Sequence, residues 1–136
     1  MIAGIPGHPV EDVQISNVRI QYRGGGTTAE AAIDRPENET AYPEPSMFGT
    51  LPSYGLFVRH ARGLTIRDFE VTFDKDEARP PVALVDVEGA FFDRLTAKRT
   101  AGVPLFVLKD VKNLTLRGLA GLPDLTRDVV SAGTIR

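Results

Sequence analysis

Short runs of alternating apolar and polar residues recur along this chain at a nearly constant spacing, and this repeat constrains the fold more than any other feature. The alternation has the period of two that is typical of β-strands, and amphipathic helix patterns are almost absent. Four runs fit one common template, at residues 13–20, 64–71, 90–97 and 114–120. Leu64 and Ala90 are 26 residues apart, and Ala90 and Leu114 are 24 residues apart. A fixed period with several short strands per repeat is the mark of a β-solenoid.

Each run has a turn position at its fifth residue, where a sharp bend would join two short strands. That position holds Asn17, Asp68, Arg94 and Gly118 in the four runs. Asn, Asp and Gly tolerate the left-handed backbone region better than other residues do. We therefore expect a left-handed corner at each position, with backbone strain at Arg94.

A second alternating run precedes three of the four, at residues 56–58, 82–84 and 106–108. Three short strands per repeat predict an all-β fold, a right-handed parallel β-helix of about four to five coils. Parallel sheets of this kind contain no hairpins, in agreement with the lack of Asn-Gly and Asp-Gly turns. An immunoglobulin-like sandwich remains an alternative, because it also has short strands separated by frequent turns.

The chain length of 136 residues predicts one domain, residues 1–136. The alternation is interrupted at about residues 23–54, where Gly, Pro and Glu are frequent. This stretch is predicted to be a long loop insertion, and long loops in compact domains are usually functional or mobile.

Composition excludes several classes of function. The formal net charge is -2 and basic residues are mixed with acidic ones, which argues against nucleic acid and anionic membranes as partners. There is no cysteine, and the two histidines are far apart, so we expect neither a metal site nor a cofactor. The N-terminal residues do not resemble a signal peptide, and no apolar run approaches the roughly 20 residues of a membrane helix. The sequence leaves the localisation unknown.

Three stretches carry a more specific resemblance. They are residues 4–20, residues 42–60 and residues 76–89. The middle stretch contains the string Tyr-Pro…Met-Phe-Gly…Pro-x-Tyr-Gly…Arg-His. Over about residues 2–98 the chain resembles the late coils of bacterial family 28 glycoside hydrolases, the polygalacturonase-like pectinases. The resemblance implies a right-handed parallel β-helix, hydrolysis of pectic polysaccharides with inversion, and a secreted or periplasmic parent protein.

The resemblance also implies a catalytic apparatus, which this sequence lacks. Family members use an Asn-Thr-Asp motif, an Asp-Asp pair, a Gly-His-Gly motif and an Arg-Ile-Lys motif, and none of these occurs here. Gly7-His8-Pro9 does not match the Gly-His-Gly motif. We therefore expect the chain to correspond to the C-terminal portion of such an enzyme, starting within the repeat pattern and without catalytic residues.

Inverting glycosidases need two carboxyl groups about 6.5–9.5 Å apart, one of them protonated. The candidate acids are Asp74, Asp76, Glu77, Asp86 and Asp93. We expect the cluster at residues 74–77 to be a solvated turn, and Asp86 to face outward from a strand between two valines. An active hydrolase that uses carboxylates not recognised here stays open as a hypothesis.

Four residues are candidates for binding a sugar: Arg59, His60, Tyr42 and Tyr54. Arginine pairs with carboxylates through two parallel hydrogen bonds, so Arg59 with His60 could bind a sugar acid. Tyr42 and Tyr54 could stack on sugar rings and line a cleft for a pectic oligosaccharide. The structural alternative is that Arg59 pairs with an acid of the long loop, His60 makes a turn hydrogen bond, and the aromatic side chains cover apolar surface.

The ends of a solenoid present unpaired backbone groups and need caps. No capping helix is predicted at the N-terminal side, whereas residues 122–130 are expected to cover the other end. We therefore expect a homo-oligomer that forms through the uncapped N-terminal coil. A structural or oligomerisation module without carbohydrate activity is the alternative to a non-catalytic pectinase portion.

Overall fold

A computed structural model describes residues 1–41, 44 and 46–136 of the chain. The predicted site residue Tyr42 lies outside the described residues. The fold is all-β, with one short helix between the third and fourth strands. The strands are β1 (Ile2–Ala3), β2 (Val10–Glu11), β3 (Gln14–Gly24), β4 (Leu56–Lys75), β5 (Val82–Ala97), β6 (Phe106–Arg117) and β7 (Leu125–Ile135), and the helix is α1 (Thr28–Ala31).

The repeat predicted from the sequence sets the register of a parallel sheet. β4, β5 and β6 pair in parallel, and Leu64 lies opposite Ala90, which lies opposite Leu114. The predicted alignment of these three residues is confirmed. The immunoglobulin-like alternative is wrong, because a sandwich of that type is built from antiparallel sheets.

Three strands near the N-terminus together match the length of β4. Ile2 of β1 lies opposite Val58, Val10 of β2 lies opposite Ala61, and Gln14 of β3 lies opposite Thr65. All three pairings are parallel. The first and second alternating runs are therefore neighbours in space, and the intervening residues form an insertion at the edge of the sheet.

Each long strand bends at left-handed corners, and the corners of successive strands lie at matching positions. The predicted set Asn17, Asp68, Arg94 and Gly118 has φ values of 55°, 49°, 55° and 61°. Two further sets of positive φ are His60, Asp86 and Asp110, and Gly63, Gly89 and Asn113. The first set confirms the predicted corners, including the strained conformation of Arg94.

The core consists of apolar side chains that lie in register on successive strands. Ile66, Phe92 and Leu116 are opposite one another and are almost wholly buried. The Phe92 ring meets the Phe106 ring edge-on, with centroids 5.1 Å apart. Because burying such a side chain contributes about 1.5–3 kcal/mol, the stacked apolar rows are the main source of stability.

The last strand breaks the parallel pattern. β7 pairs antiparallel with β6, so that Phe106 lies opposite Ile135 and Leu116 opposite Leu125. The expectation of a sheet without hairpins is wrong here, because residues 118–124 turn the chain without an Asn-Gly or Asp-Gly pair. Gly118 and Gly121 have positive φ in that turn, and the Asp124 carboxylate accepts a hydrogen bond from the Gly118 N–H. The C-terminal residues thus cover the edge strand β6, as expected for residues 122–130.

The predicted loop insertion corresponds to the segment between β3 and β4, which contains α1. A capping box fixes the start of α1: the Glu30 N–H donates to Thr27 Oγ1, and the Thr27 N–H donates to the Glu30 carboxylate. The described part of the chain has no helix of the length and apolar character needed to cross a membrane.

Candidate functional site

Arg59 lies under the insertion and holds it against β4. Its side chain is 3% exposed, and its guanidinium donates hydrogen bonds to the backbone carbonyls of Arg35 (2.9 Å), Pro36 (3.0 Å) and Glu37 (3.2 Å). The Glu37 carboxylate is 3.4 Å from Nη2, and the guanidinium carbon lies 4.9 Å from the centre of the Phe48 ring. These partners occupy the guanidinium from several sides, so Arg59 shapes the loop from beneath. A direct role for it in substrate binding stays a prediction.

His60 stands between two carboxylates at one of the left-handed corners. Its Nδ1 is 2.7 Å from Asp86 Oδ2, and its Nε2 is 3.1 Å from Glu37 Oε2. Both nitrogens can donate at once only when the ring is protonated. Desolvation lowers the pKa of His60, but hydrogen bonds and charge from Asp86 and Glu37 outweigh it, and the pKa is raised above its ordinary value.

A polar cavity of about 320 Å³ opens beside His60. One wall is the N-terminal turn at Ile5–His8, in which the backbones of Ile5 and His8 form an isolated antiparallel bridge. Charged side chains of both signs line the remainder: Arg62, Asp86, Glu88, Asp110 and Lys112. The cavity therefore offers hydrogen-bond donors and acceptors to a small polar ligand such as a sugar, while its charges largely compensate one another.

Tyr54 is a core residue in this structure. It is 5% exposed, and its hydroxyl donates a hydrogen bond to the backbone carbonyl of Lys98 (2.6 Å), with the Val71 carbonyl 3.3 Å away. Its ring meets the rings of Tyr22 and Phe73 edge-on, and burial raises the pKa of its phenol. The ring of Tyr54 has no open face for a sugar in this conformation, and its part in substrate binding stays a prediction.

The expectation of a solvated turn at residues 74–77 is wrong for Glu77. Asp74 and Asp76 are exposed, but Glu77 is 1% exposed and lies in a bidentate ion pair with Arg79, at 2.8 Å for each contact. It also accepts the backbone N–H of Gly26 at 3.1 Å. Burial opposes ionisation of Glu77, but the Arg79 and backbone hydrogen bonds prevail, so that its pKa is lowered.

Three of the other four candidate acids also have partners. Asp93 accepts from Arg94 at 2.6 Å, Asp74 accepts from Gln21, and Asp86 contacts His60. The side chain of Asp86 is 65% exposed, as expected, but it points outward from a left-handed corner rather than from a straight strand. Within the described residues, no cluster of three His, Asp or Glu side chains could hold a metal ion.

The sequence indicated His60 but missed its partners. Asp86 follows His60 by 26 residues and Asp110 follows Asp86 by 24, the same spacings as the predicted repeat. His, Asp and Asn are the non-glycine residues most tolerant of the left-handed region, so this spacing could have indicated a second set of corners. Glu37 had no comparable signal, because its position depends on how the insertion folds back.

Comparison with known protein families, curated proteins and solved structures finds no match to this chain.

Proposed function

We propose that the chain forms a right-handed parallel β-helix and is the C-terminal, non-catalytic portion of a polygalacturonase-like glycoside hydrolase. The observation that carries the proposal is the set of left-handed corners that recur at matching positions of β4, β5 and β6. Corners at fixed positions let each repeat turn back above the previous one and continue the same parallel ladder. The residue strings that resemble the pectinase family supply the link to pectin.

The pairing of the carboxylates supports a non-catalytic role. A general acid must hold a proton near the working pH, which requires a raised pKa. Glu77 is the most buried of the candidate acids, and its pKa is lowered by Arg79. Asp93 forms an ion pair with Arg94, and Asp86 contacts His60.

Contact with a pectic oligosaccharide is proposed at the cavity beside His60. Sugar hydroxyls both donate and accept hydrogen bonds, and the cavity presents carboxylates beside Arg62 and Lys112. A protonated His60, held between Asp86 and Glu37, would keep the insertion and this wall of the cavity in place.

A titration with trigalacturonate, followed by NMR, together with an assay of new reducing ends on polygalacturonic acid, tests the proposal. We expect shifts for backbone amides around His60 and Asp86 and no release of reducing ends. His60→Asn, which keeps a residue tolerant of the left-handed corner, should weaken binding, whereas Ser131→Ala on the exposed face of β7 should not. Hydrolysis by the pure chain, or shifts absent from the cavity, would contradict the proposal.

A second candidate function is a structural module that assembles through the free edge of β1–β3. Val13, Ile15, Val18, Ile20 and Tyr22 pack on the core but are only partly buried, and among the described strands β3 pairs with β4 alone. A second copy of the chain would cover these side chains and pair with the edge. Light scattering after size-exclusion chromatography would show a dimer or larger species that Val18→Lys dissociates; a monomer at high concentration would exclude this function.

A further inference from the structure

Two arginines converge on one aromatic ring on the outer surface of the sheet. The guanidinium carbons of Arg67 and Arg117 lie 5.5 Å and 5.7 Å from the centre of the Phe91 ring. Arg67 is on β4, Phe91 on β5 and Arg117 on β6, and Phe91 lies opposite Thr65 on one side and Thr115 on the other. Phe91, which belongs to one outward-facing row of side chains, thus contacts both arginines of the next row, Arg67 and Arg117.

The two guanidiniums are available to a ligand. Both arginines are exposed, and within the described residues neither guanidinium has an ion pair or donates a hydrogen bond to a protein acceptor. Each guanidinium carries five N–H donors, and a cation–π contact leaves them free. Arg19, another exposed arginine of the sheet, differs, since it is bonded to Glu70 at 2.7 Å.

The carboxylates nearest to this pair are hydrogen-bonded to a third arginine, Arg94. Asp93 lies in register between Arg67 and Arg117, but its Oδ2 is 2.6 Å from Nη1 of Arg94. Arg94 also binds both oxygens of Asp68, at 2.6 Å and 2.8 Å, and this contact lowers the pKa of Asp68. Because one guanidinium balances only one of these two negative charges, Arg67, Arg94 and Arg117 together exceed Asp68 and Asp93 by one positive charge, and Arg67 also contributes to the lowered pKa of Asp68.

We propose that Arg67, Phe91 and Arg117 form a binding site for a linear oligosaccharide that carries carboxylates, with one carboxylate on each guanidinium. The two arginines are two strand spacings apart, so the bound carboxylates would be about 10 Å from each other along the ligand. Arginine binds a carboxylate through two parallel hydrogen bonds, which fixes its orientation. Thr65 and Thr115 lie opposite Phe91 on the two neighbouring strands, and their hydroxyls would bond to sugar hydroxyls.

The choice of a uronic acid chain as ligand rests on the proposed function, but the site is distinct from the cavity beside His60. It lies after the corners at Gly63, Gly89 and Asn113, whereas the cavity lies before them in each strand. Variants of Arg67 and Arg117 therefore separate the two sites.

Calorimetric titration with hexagalacturonate and with hexamannuronate, at low and high salt, tests the site. We expect Arg67→Gln and Arg117→Gln each to weaken binding of at least one of these chains by about tenfold, the effect of losing one charge-assisted contact. Arg67→Lys should retain part of the affinity, because it keeps the charge but not the two-pronged geometry. Arg19→Gln is the matched control and should bind as the unaltered chain does, and high salt should weaken binding.

The outcomes separate this site from the proposed function. If hexagalacturonate binds and the Arg67→Gln, Arg117→Gln double variant binds it equally well, the site is overturned and the proposed function stands. If only hexamannuronate binds, and through these arginines, the site is upheld and the pectic assignment is overturned. If neither oligosaccharide binds, the site is overturned. The proposed fold is tested separately, by the backbone contacts between the strands. The thermal stability of each variant shows whether a loss of binding reflects unfolding.

Discussion

Arg94 occupies a backbone conformation that few residues with side chains adopt, and its neighbours explain why it is tolerated. Its φ is 55°, at a position where the other repeats place Asn17, Asp68 and Gly118. A left-handed conformation costs a side chain about 1–2 kcal/mol relative to glycine. The ion pairs with Asp68 and Asp93 offset part of this cost, although exposed pairs contribute little.

A pair of substitutions separates strain from ion pairing at this corner. Arg94→Gly and Arg94→Ala both remove the contacts with Asp68 and Asp93, but only glycine relieves the strain. We expect Arg94→Gly to be more stable than Arg94→Ala by about 1 kcal/mol in chemical denaturation. Equal stability of the two variants would mean that the corner does not have a positive φ.

His60 should make stability depend on pH. Its folded pKa is raised above the ordinary value of 6.5, so its contribution is fully present below about pH 6.5 and is lost as pH rises through the folded pKa. The stability difference between the unaltered chain and His60→Asn should therefore shrink as pH rises from about 5 to 8. The groups facing the ring are Asp86 and Glu37, with Arg59 beside Glu37.

His8 provides the control for this experiment. Its side chain makes no hydrogen bond or ion pair with the described residues, and it is exposed. His8→Asn removes no contact of this kind, so its unfolding curve shows the effect of the substitution alone. A His60→Asn curve parallel to that of the unaltered chain would show that the contacts with Asp86 and Glu37 do not favour the protonated ring.

At the scale of elements, the buried side chain of Arg59 anchors residues 35–37 of the insertion between β3 and β4. Arg59→Met keeps the apolar stem but leaves the carbonyls of Arg35, Pro36 and Glu37 without a donor. We expect a loss of about 3 kcal/mol in the free energy of unfolding, as for other broken buried charge networks. Proteolysis within residues 25–55 should become faster in the native protein.

Arg62→Met is the matched control for this element. The Arg62 side chain is 61% exposed, and its nearest carboxylate is 3.9 Å away on Glu88. An exposed pair of this kind contributes less than about 1 kcal/mol, so stability and proteolysis should change little. Equal effects of the two variants would mean that Arg59 does not anchor the insertion.

The strands were predictable from the sequence where apolar alternation and period agreed. Leu64, Ala90 and Leu114 could be aligned because the same face of each repeat must be apolar. β7 was not predicted as an antiparallel strand, because its turn carries none of the usual hairpin pairs. α1 was missed although Thr27 and Glu30 have the spacing of a capping box.

The site was less predictable than the strands. Alternation placed Asp86 correctly at the surface, but it could not show that the left-handed corner directs this carboxylate to His60. Glu77 was expected in solvent because acids usually are, and its burial depends on an arginine two residues later. Arg59 and Tyr54 are buried by the insertion and by the core, and long-range folding of this kind leaves no local pattern.

At the scale of the whole molecule, the two edges of the sheet differ. Arg127 on β7 lies opposite Leu114, on the face that is apolar in the other strands, and its side chain is exposed. A charge on the inner face of an edge strand discourages further pairing. The edge formed by β3 presents Val18 and Ile20 instead, and both are only partly buried. The free edge of β3 is therefore the surface at which association is expected.

Consecutive repeats lie in parallel register against one apolar core, and the proposed fold and function both depend on this arrangement. Backbone nuclear Overhauser effects in solution report that register most directly. We predict contacts between the backbones of Ile66 and Phe92 and between those of Phe92 and Leu116, in the pattern of parallel strands. An antiparallel pattern among these strands, or no contact between Phe92 and either neighbour, would contradict the account.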